Sequence, residues 1–372
     1  MKFLHISDLH LGKRVYETSM IEDQKAILEQ ILTYARRADV TLISGDIYDR
    51  PVPPAEAVAL LDSFLTRMHA QGSPVALISG NHDSAERIAF GGGLMGASGV
   101  YVSSVYDGTV RCVKLTDEHG DVYLHLLPFV KPSHVRAALG DEKKIETYTD
   151  AMDAVIAAME IDPNARNVLL CHQFVTGAER SGSEEMSVGG LDDVSAQVFD
   201  AFDYVALGHI HKAQRLFGGR VRYCGAPLCY DFAEAGAQKA ALLVELGSKG
   251  EMSVEPLPFA PIRAMRVLRG SFAEVSDPAL MSEDYMEIVL TDEDDVPEAM
   301  GRLRALYPNL LHLRYDNTRT RAGEMNLIAA KAKRTPQEWM ALLFAEQNGR
   351  EMDEAQRALL DELVEEIWEV NA

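Results

Sequence analysis

The sequence lacks the features that would place the chain in a membrane or outside the cell. It contains no run of about 18 apolar residues, which excludes a membrane-spanning helix. Four cysteines in 372 residues include no Cys-x-x-Cys pair, so a disulfide framework is not expected. The opening stretch, "MKFLHISDLH", has no long apolar segment and no signal-cleavage site. These absences predict a cytoplasmic protein with reduced thiols and no membrane contact.

Excess positive charge is also missing. The formal net charge is -21, whereas a nucleic-acid-binding protein usually presents a basic face. The charge is unevenly distributed, because residues 335–372 alone hold ten acids and two arginines. Arg263, Arg266 and Arg269 recur at every third position, and residues 211–222 carry four cations. Local basic surfaces are therefore compatible with an acidic chain.

The order of the predicted elements indicates more than one domain, as the length does. Apolar strands alternate with helices in the first ~80 residues, a pattern typical of a mostly parallel sheet covered on both faces. Strands and turns are expected over 213–257. We predict an α/β domain over 1–257, a small α+β domain over 258–317, a polar linker over 318–334 and a helical segment over 335–372.

Residues that can bind metal ions follow five of the apolar strands. The strand ends are followed by Asp8 and His10, by Asp46 and Asp49, by Asn81 and His82, by His172, and by His209 and His211. Ligands of open α/β sheets bind beyond the carboxyl ends of the strands, so we expect these residues at one edge of one sheet. Alone, Asp-x-His is more often a turn or a hydrogen-bonded pair, Gly-Asp is a common turn dipeptide, and His172 could be a core histidine. Gly-His-Ile-His is rarer and alone favours neither interpretation. All five in order indicate a metal site.

The chemistry of this set favours a dinuclear centre. Imidazole and carboxylate ligands suit Mn, Fe and Zn, and the groups suffice for two ions that share one carboxylate. Two ions about 3.5–4 Å apart can stabilise both the attacking and the leaving oxygen of a phosphoryl displacement. The pattern therefore predicts phosphoryl-transfer chemistry.

The five blocks, D-x-H, G-D-x-x-D, G-N-H-D, H and G-H-x-H, resemble the signature of the calcineurin-like metallophosphoesterase family and span residues 1 to about 215. The resemblance implies a metallophosphoesterase-type layered α/β sandwich with a small α+β capping domain. The implied ligands are Asp8, His10, Asp46 and His211 for one ion, and Asp46, Asn81, His172 and His209 for the other. It also implies that His82 faces the scissile phosphate, that Asp49 orients His82, and that Arg50 contacts phosphate oxygens.

A narrower resemblance links the chain to bacterial nuclease subunits of this family. It is carried by "HISDLHLGKR", "SGDIYDRPVPPAEAV", "SGNHDSAERIAF", "SVGG", "DYVALGHIHKAQ" and "YCGAPLCYDFAE". The resemblance implies two Mn²⁺ ions, DNA as substrate, 3′→5′ exonuclease and single-strand or hairpin endonuclease activity, and an ATPase partner with a long coiled coil. A homodimer is compatible with it. Leu9 departs from the aromatic residue that often occupies its position.

Two other functions stay open at the level of the sequence. The chain could be a phosphoesterase for a phosphoprotein or a small phosphodiester, or a DNA-tethering protein with a silent site. The complete ligand set and His82 argue against the silent site.

The last 38 residues are predicted to form two helices. Residues 335–338, "TPQE", are a capping box with proline at the first helical position, and Asp353 with Gln356 repeats this pattern. The apolar stripes are Trp339, Met340, Leu343 and Phe344 in the first helix, and Leu359, Leu360, Leu363, Val364 and Ile367 in the second. We expect the pair to dock on the ATPase partner, and the alternative is that it packs on the chain's own core.

Overall fold

The computed structural model describes residues 1–140, 144–179, 193–321, 336–353 and 355–360. Two compact units are distinguished within these ranges. The first comprises Met1–Val267, Ser282–Glu287 and Tyr307–His312, and the second comprises the described residues of Leu268–Met281, Ile288–Leu306 and Leu313–Ala372. The domain boundaries drawn from the sequence remain a prediction, and most of the predicted linker lies outside the described residues.

In the part of the chain that the structure describes, the strands form two large sheets and two small ones. Their bounds are β1 (Lys2–Ile6), β2 (Arg14–Val15), β3 (Thr18–Ser19), β4 (Val40–Ser44), β5 (Val75–Ile78), β6 (Val100–Val102), β7 (Arg111–Asp117), β8 (Gly120–Leu126), β9 (Arg166–His172), β10 (Tyr204–Gly208), β11 (Gln214–Leu216), β12 (Val221–Tyr223), β13 (Ala240–Leu246), β14 (Met252–Pro258), β15 (Met265–Gly270), β16 (Tyr285–Leu290) and β17 (Leu310–Tyr315). The first large sheet has the order β14-β13-β1-β4-β5-β6 and the second β11-β12-β10-β9-β8-β7. A β15-β16-β17 sheet and a β2-β3 hairpin complete the set.

Helices connect these strands. They are α1 (Ile21–Ala35), α2 (Ala55–Ala70), α3 (Ala85–Ala89), α4 (Gly92–Met95), α5 (Pro132–Leu139), α6 (Tyr148–Ala157), α7 (Phe272–Val275), α8 (Ala299–Leu303) and α9 (Pro336–Asn348). Within the described ranges, no helix combines the length and the apolar content that a membrane span requires.

Each large sheet has a parallel centre with antiparallel strands beside it. In the first sheet β1, β4, β5 and β6 run parallel, and β13 pairs antiparallel with both β1 and β14. In the second sheet β8, β9, β10 and β12 run parallel, with β7 and β11 antiparallel at the edges. Parallel strands need crossover connections, and those from β1 to β4 and from β4 to β5 contain α1 and α2. The parallel strands therefore deliver several strand ends to one side of each sheet.

The two large sheets pack face to face. Phe3 and Leu42 of the first sheet share a buried cluster with Leu170 and Ala206 of the second. On β1 the alternate residues Leu4 and Ile6 point the other way, into a cluster with α1 and α2. Because both faces of each sheet are buried, the strands read as continuous apolar runs. The layered α/β sandwich expected from the sequence is confirmed.

The expectation of a single sheet for all five ligand-bearing strands is wrong. Strands β1, β4 and β5 belong to the first sheet, and β9 and β10 belong to the second. A fully apolar strand suits the centre of either sheet, so its hydrophobic pattern does not reveal its partners. The strand ends still meet, because the stacked sheets present their carboxyl ends on the same side.

Candidate metal centre

The structure brings all seven predicted metal ligands to one place. Three groups of side chains have their potential ligand atoms within 4.8 Å of one another: Asp8, His10 and His211; Asp8, Asp46 and His172; and His10, Asp46 and His82. Asn81 and His209 join the same cluster through the contacts given below. Asp8, His10, Asp46, His172 and His211 are buried, whereas Asn81 and His209 are partly exposed. The cluster therefore has a closed side and an open side.

Asp46 lies between the two halves of the cluster. Its Oδ2 atom is 3.6 Å from His10 Nε2 and 3.3 Å from His172 Nε2. Its Oδ1 atom accepts a hydrogen bond from the backbone N–H of His82 at 3.0 Å. A carboxylate placed between imidazoles of both sheets can serve two cations at once.

Other side chains that follow strands of the two sheets also meet in the cluster. Asn81 Oδ1 lies 3.0 Å from both His172 Nε2 and His209 Nδ1. On the other side, His10 Nε2 lies 3.0 Å from His211 Nε2. Imidazole nitrogens and carboxylate or amide oxygens that point at common centres match the ligands preferred by Mn, Fe and Zn. The residues present therefore fit a site for two divalent ions.

The backbone is strained where the strands end. Asp8, His10, Asp46 and His209 have φ angles of 55°, 44°, 49° and 99°, in the region that residues other than glycine rarely adopt. Each such conformation costs roughly 1–3 kcal/mol and is typical of functional sites. Sharp turns of this kind redirect the side chains from the strand axis into the cluster.

Glycine is required beside Asp46 for a different reason. A Cβ atom on Gly80 would overlap the Asp46 carboxylate and its backbone nitrogen. A Cβ atom on Gly208 would likewise overlap the carbonyl oxygen of Ser44 and approach the His172 ring. Gly80 therefore lets the loops that follow β4 and β5 of the first sheet approach each other, and Gly208 lets β10 of the second sheet approach β4 of the first.

The electrostatics of the cluster favour bound positive charge. Burial alone would raise the pKa of Asp46, but His172 and His10 hold it well below its usual value. Burial would lower the pKa of His172, but the charges of Asp46 and Asp8 raise it to about 9. Burial raises the pKa of Asp8, and the charge of Asp46 adds to this effect. Two buried carboxylates this close together are stabilised by cations.

His82 lies at the open side of the cluster, but its partner differs from the one expected. His82 Nδ1 is 3.1 Å from the backbone carbonyl oxygen of Asp49, not from its carboxylate. The carboxylate instead accepts a hydrogen bond from Lys13 Nζ at 2.7 Å and lies 3.9 Å from His10 Nδ1. In this structure the backbone of Asp49 contacts His82, and a role for the Asp49 side chain in orienting His82 stays a prediction.

Arg50 follows Asp49 and extends into solvent. Its side chain is 56% exposed, and its Nη2 atom lies 3.8 Å from Asp49 Oδ2. The structure therefore places a solvent-accessible cation next to the residue that contacts His82.

Asp83 connects two loops of the site, and the sequence analysis did not single it out. Its carboxylate accepts hydrogen bonds from the backbone N–H groups of Ile47, Tyr48 and Gly80 at 2.8–3.0 Å. It therefore ties the loop that carries Asp46 to the loop that carries Asn81 and His82. Burial and the charge of Asp46 raise the pKa of Asp83 to about 6. Its position as the last residue of the G-N-H-D block was the available signal.

Comparison with known proteins agrees with this geometry. The sequence profile of the calcineurin-like phosphoesterases matches residues 1–213. The chain therefore belongs to the calcineurin-like phosphoesterase family, and its assignment as a phosphoester-hydrolysing enzyme is confirmed. A second profile, described as the type 5 capsule protein repressor C-terminal domain, matches residues 261–348.

Two curated relatives are similar to this chain over most of its length. The chain is 30% identical over 322 residues to the SbcD component of the nuclease SbcCD from Staphylococcus epidermidis, with 84% of this chain and 85% of that protein covered. The protein of the same name from Staphylococcus saprophyticus is also 30% identical, with 84% of each chain covered. The narrower resemblance, to SbcD, is confirmed. A dimetal phosphatase from Danio rerio aligns with 13% identity and a TM-score of 0.42, over 69% of this chain and 95% of that one.

Proposed function

We propose that the chain is the nuclease component of a DNA-processing complex and depends on two Mn²⁺ ions. Its activities would be 3′→5′ exonuclease and single-strand or hairpin endonuclease, exerted with an SbcC-type ATPase in DNA repair, recombination and replication. The observation that carries the proposal is the position of the Asp46 carboxylate, 3.6 Å from His10 and 3.3 Å from His172. The names of the curated relatives support a nuclease activity.

The geometry supports the following ligand assignment. One ion would be held by Asp8, His10, Asp46 and His211, and the other by Asp46, Asn81, His172 and His209. Asp46 is the only residue shared by both sets. Because its neighbours His10 and His172 come from different sheets, loss of Asp46 would affect both halves. When bound, two such ions stabilise charge on phosphoryl oxygens and lower the pKa of water.

The residues around the ions would complete the chemistry. A backbone carbonyl only accepts hydrogen bonds, so the Asp49 carbonyl favours the His82 tautomer with its proton on Nδ1. His82 Nε2 would then face the phosphate. In the protonated ring Nε2 also carries a proton, which it would donate to the leaving oxygen, and general acid assistance contributes typically about 10²–10⁴-fold. Arg50 would contact phosphate oxygens from the solvent side, and Lys13 would hold the Asp49 carboxylate near His10.

The C-terminal helices are proposed to dock on the ATPase. Trp339, Met340 and Leu343 of α9 are 37%, 48% and 48% exposed, and acids such as Glu338 accompany them. An amphipathic helix laid in a groove or on a coiled coil is a common recognition mode, and acids at its rim make association sensitive to salt. Thr335 and residues 361–372 lie outside the described residues. A homodimer is compatible with this arrangement.

The arginine series at 263, 266 and 269 does not add support for DNA. Arg263 lies 3.8 Å from Asp23, Arg266 lies 3.4 Å from Asp284 and Arg269 lies 2.5 Å from Asp316. These carboxylates offset the positive charges that a phosphate backbone would need. An experiment is therefore needed to decide between DNA and the alternative of a phosphoprotein or small phosphodiester as the substrate.

A cleavage assay tests the proposal. The full chain, stripped of metal and supplied with Mn²⁺, is incubated with a 3′-labelled linear duplex, bis-p-nitrophenyl phosphate and a phosphopeptide, with a His82→Ala variant as control. We expect cleavage of the duplex and of bis-p-nitrophenyl phosphate, and none of the phosphopeptide. Hydrolysis of the phosphopeptide alone would favour the phosphoprotein alternative, and DNA binding without cleavage of any substrate would favour the silent tether.

A further inference from the structure

The segment that follows β12 contacts the metal centre at His211. It belongs to the stretch "YCGAPLCYDFAE", which ends at Glu234 and has no assigned role in the site. The Glu234 side chain is buried, and its Oε1 atom lies 3.6 Å from His211 Nδ1. Glu234 belongs to none of the three ligand groups described above. Its position therefore suggests that it acts on a ligand and not on an ion.

The two nitrogens of His211 face different partners. Nε2 lies 3.0 Å from His10 Nε2, inside the cluster, and Nδ1 faces the Glu234 carboxylate. A neutral imidazole carries one N–H, and an ionised carboxylate can only accept a hydrogen bond. Glu234 thus favours the tautomer with the proton on Nδ1, which leaves the lone pair of Nε2 for a cation. Partners of this kind commonly fix the orientation of metal-binding histidines.

Lys239 fixes the position of Glu234 beside His211. Lys239 forms an ion pair with Glu234 and donates a second hydrogen bond, at 2.8 Å, to the backbone carbonyl of His211. The pair therefore contacts His211 through both its ring and its main chain.

We infer that Glu234 is a positioning residue of the metal centre, which sets the tautomer and the orientation of His211. The inference rests on the proposed function only in requiring that His211 bind a divalent ion. It extends that function by adding a residue outside the ligand set. A different role would be purely structural, with the Glu234–Lys239 ion pair merely closing the turn before β13.

Substitutions of Glu234 and Lys239 can distinguish the positioning role from the structural role. Lys239→Met removes the ion pair and keeps the carboxylate at His211. The double variant Glu234→Ala/Lys239→Met also lacks the Glu234 side chain beyond Cβ. Neither variant leaves a buried, unpaired ammonium on Lys239. Glu255→Gln is the control, because Glu255 is an exposed glutamate that pairs with Arg37.

Calorimetric titration of the full-length, metal-free chains with Mn²⁺ is the test, together with their melting temperatures without metal. We expect the double variant to bind Mn²⁺ about 10–100-fold more weakly than Lys239→Met, and Glu255→Gln to match the wild type. Glu234→Gln, which keeps the shape and one acceptor oxygen, should weaken binding in the same direction and serves if the double variant does not fold.

The outcomes separate the inference from the proposed function. Identical Mn²⁺ isotherms for Lys239→Met and the double variant, or for Glu234→Gln and the wild type, would overturn the positioning role even if melting temperatures fall. A wild-type chain that binds no Mn²⁺ would instead overturn the proposed metal centre itself. Metal affinity is measured without any substrate, so an inactive nuclease would not affect the result.

Discussion

The Nδ1 atom of His82 lies 3.1 Å from the backbone carbonyl oxygen of Asp49. The main chain, and not a side chain, therefore orients the residue proposed to act on the phosphate. The backbone carbonyl of Asp49 remains when the Asp49 side chain is substituted. The effects of replacing His82 and of replacing the Asp49 side chain can therefore be predicted separately.

Replacement of His82 by alanine should affect chemistry more than metal binding. We expect metal content near that of the wild type and a fall in phosphodiester cleavage of at least about 10²-fold. Asp49→Asn, which keeps the carbonyl, should slow cleavage less. Metal analysis and bis-p-nitrophenyl phosphate hydrolysis check both variants. Loss of metal from His82→Ala would make His82 a ligand, which its proximity to His10 and Asp46 would explain.

Gly80→Ala should disrupt the centre without changing any ligand. Its Cβ would overlap the Asp46 carboxylate, and overpacking of this kind costs typically about 1–3 kcal/mol. We expect a lower melting temperature and little stabilisation by Mn²⁺. Gly301→Ala is the matched control, since among the described residues no atom beyond its own helix backbone and chain neighbours lies within 4 Å of the added Cβ, and alanine favours a helix. Normal stabilisation of Gly80→Ala by Mn²⁺ would show that Asp46 does not need this contact.

Local signals in the sequence were sufficient for several elements. The alternation of strands and helices expected in the first ~80 residues is present, and prolines before Ala55 and Gly72 after Ala70 mark the ends of α2. The second capping box is confirmed, because Asp353 and Gln356 exchange backbone-to-side-chain hydrogen bonds at 2.9 and 3.1 Å. Such features depend on residues a few positions apart, so a sequence reveals them.

Contacts between distant segments were not predictable in the same way. Strand β1 pairs with β13, some 240 residues later, and no local pattern indicates that partner. The sequence likewise did not indicate that the Asp49 carboxylate accepts a hydrogen bond from Lys13. Glu234 is one acid among many in the sequence, and only the packing of its segment shows that it reaches His211.

The ion pair between Arg166 and Asp117 should make stability depend on pH far from the metal centre. Hydrogen bonds from Arg166 hold the pKa of Asp117 well below its usual range. A lowered folded-state pKa contributes stability that is present above the unfolded pKa of about 3.9 and is lost as pH falls through the folded value.

Asp117→Asn is therefore expected to lower the stability of the metal-free chain at neutral pH by about 1–3 kcal/mol. Arg166 keeps its bonds to the backbone carbonyls of Leu246 and Gly247, which limits the loss. The difference in melting temperature from the wild type should shrink as the pH is lowered below about 4. A difference that stays constant between pH 7 and pH 3 would show that the charge of Asp117 is not involved.

A chain that ends at Arg334 should separate cleavage from partner binding. We expect it to stay folded and to retain Mn²⁺-dependent cleavage of single strands, but to lose co-purification with an SbcC-type ATPase. Combined substitution of Trp339, Met340 and Leu343 by alanine should have the same effect, while Leu280→Ala, another exposed apolar residue, should not. An insoluble or metal-free truncation would favour packing of the helices on the chain's own core. Full ATPase binding would remove the docking proposal.

The stoichiometry of Mn²⁺ binding in the wild type and in Asp46→Asn tests the central claim most directly. Calorimetric titration should give about two ions per chain for the wild type, since one carboxylate between His10 and His172 serves both. Asp46→Asn should lose both ions, together with the rise in melting temperature that bound metal produces by mass action. An Asp46→Asn chain that still binds two ions, with an unchanged metal-induced shift, would contradict the shared site.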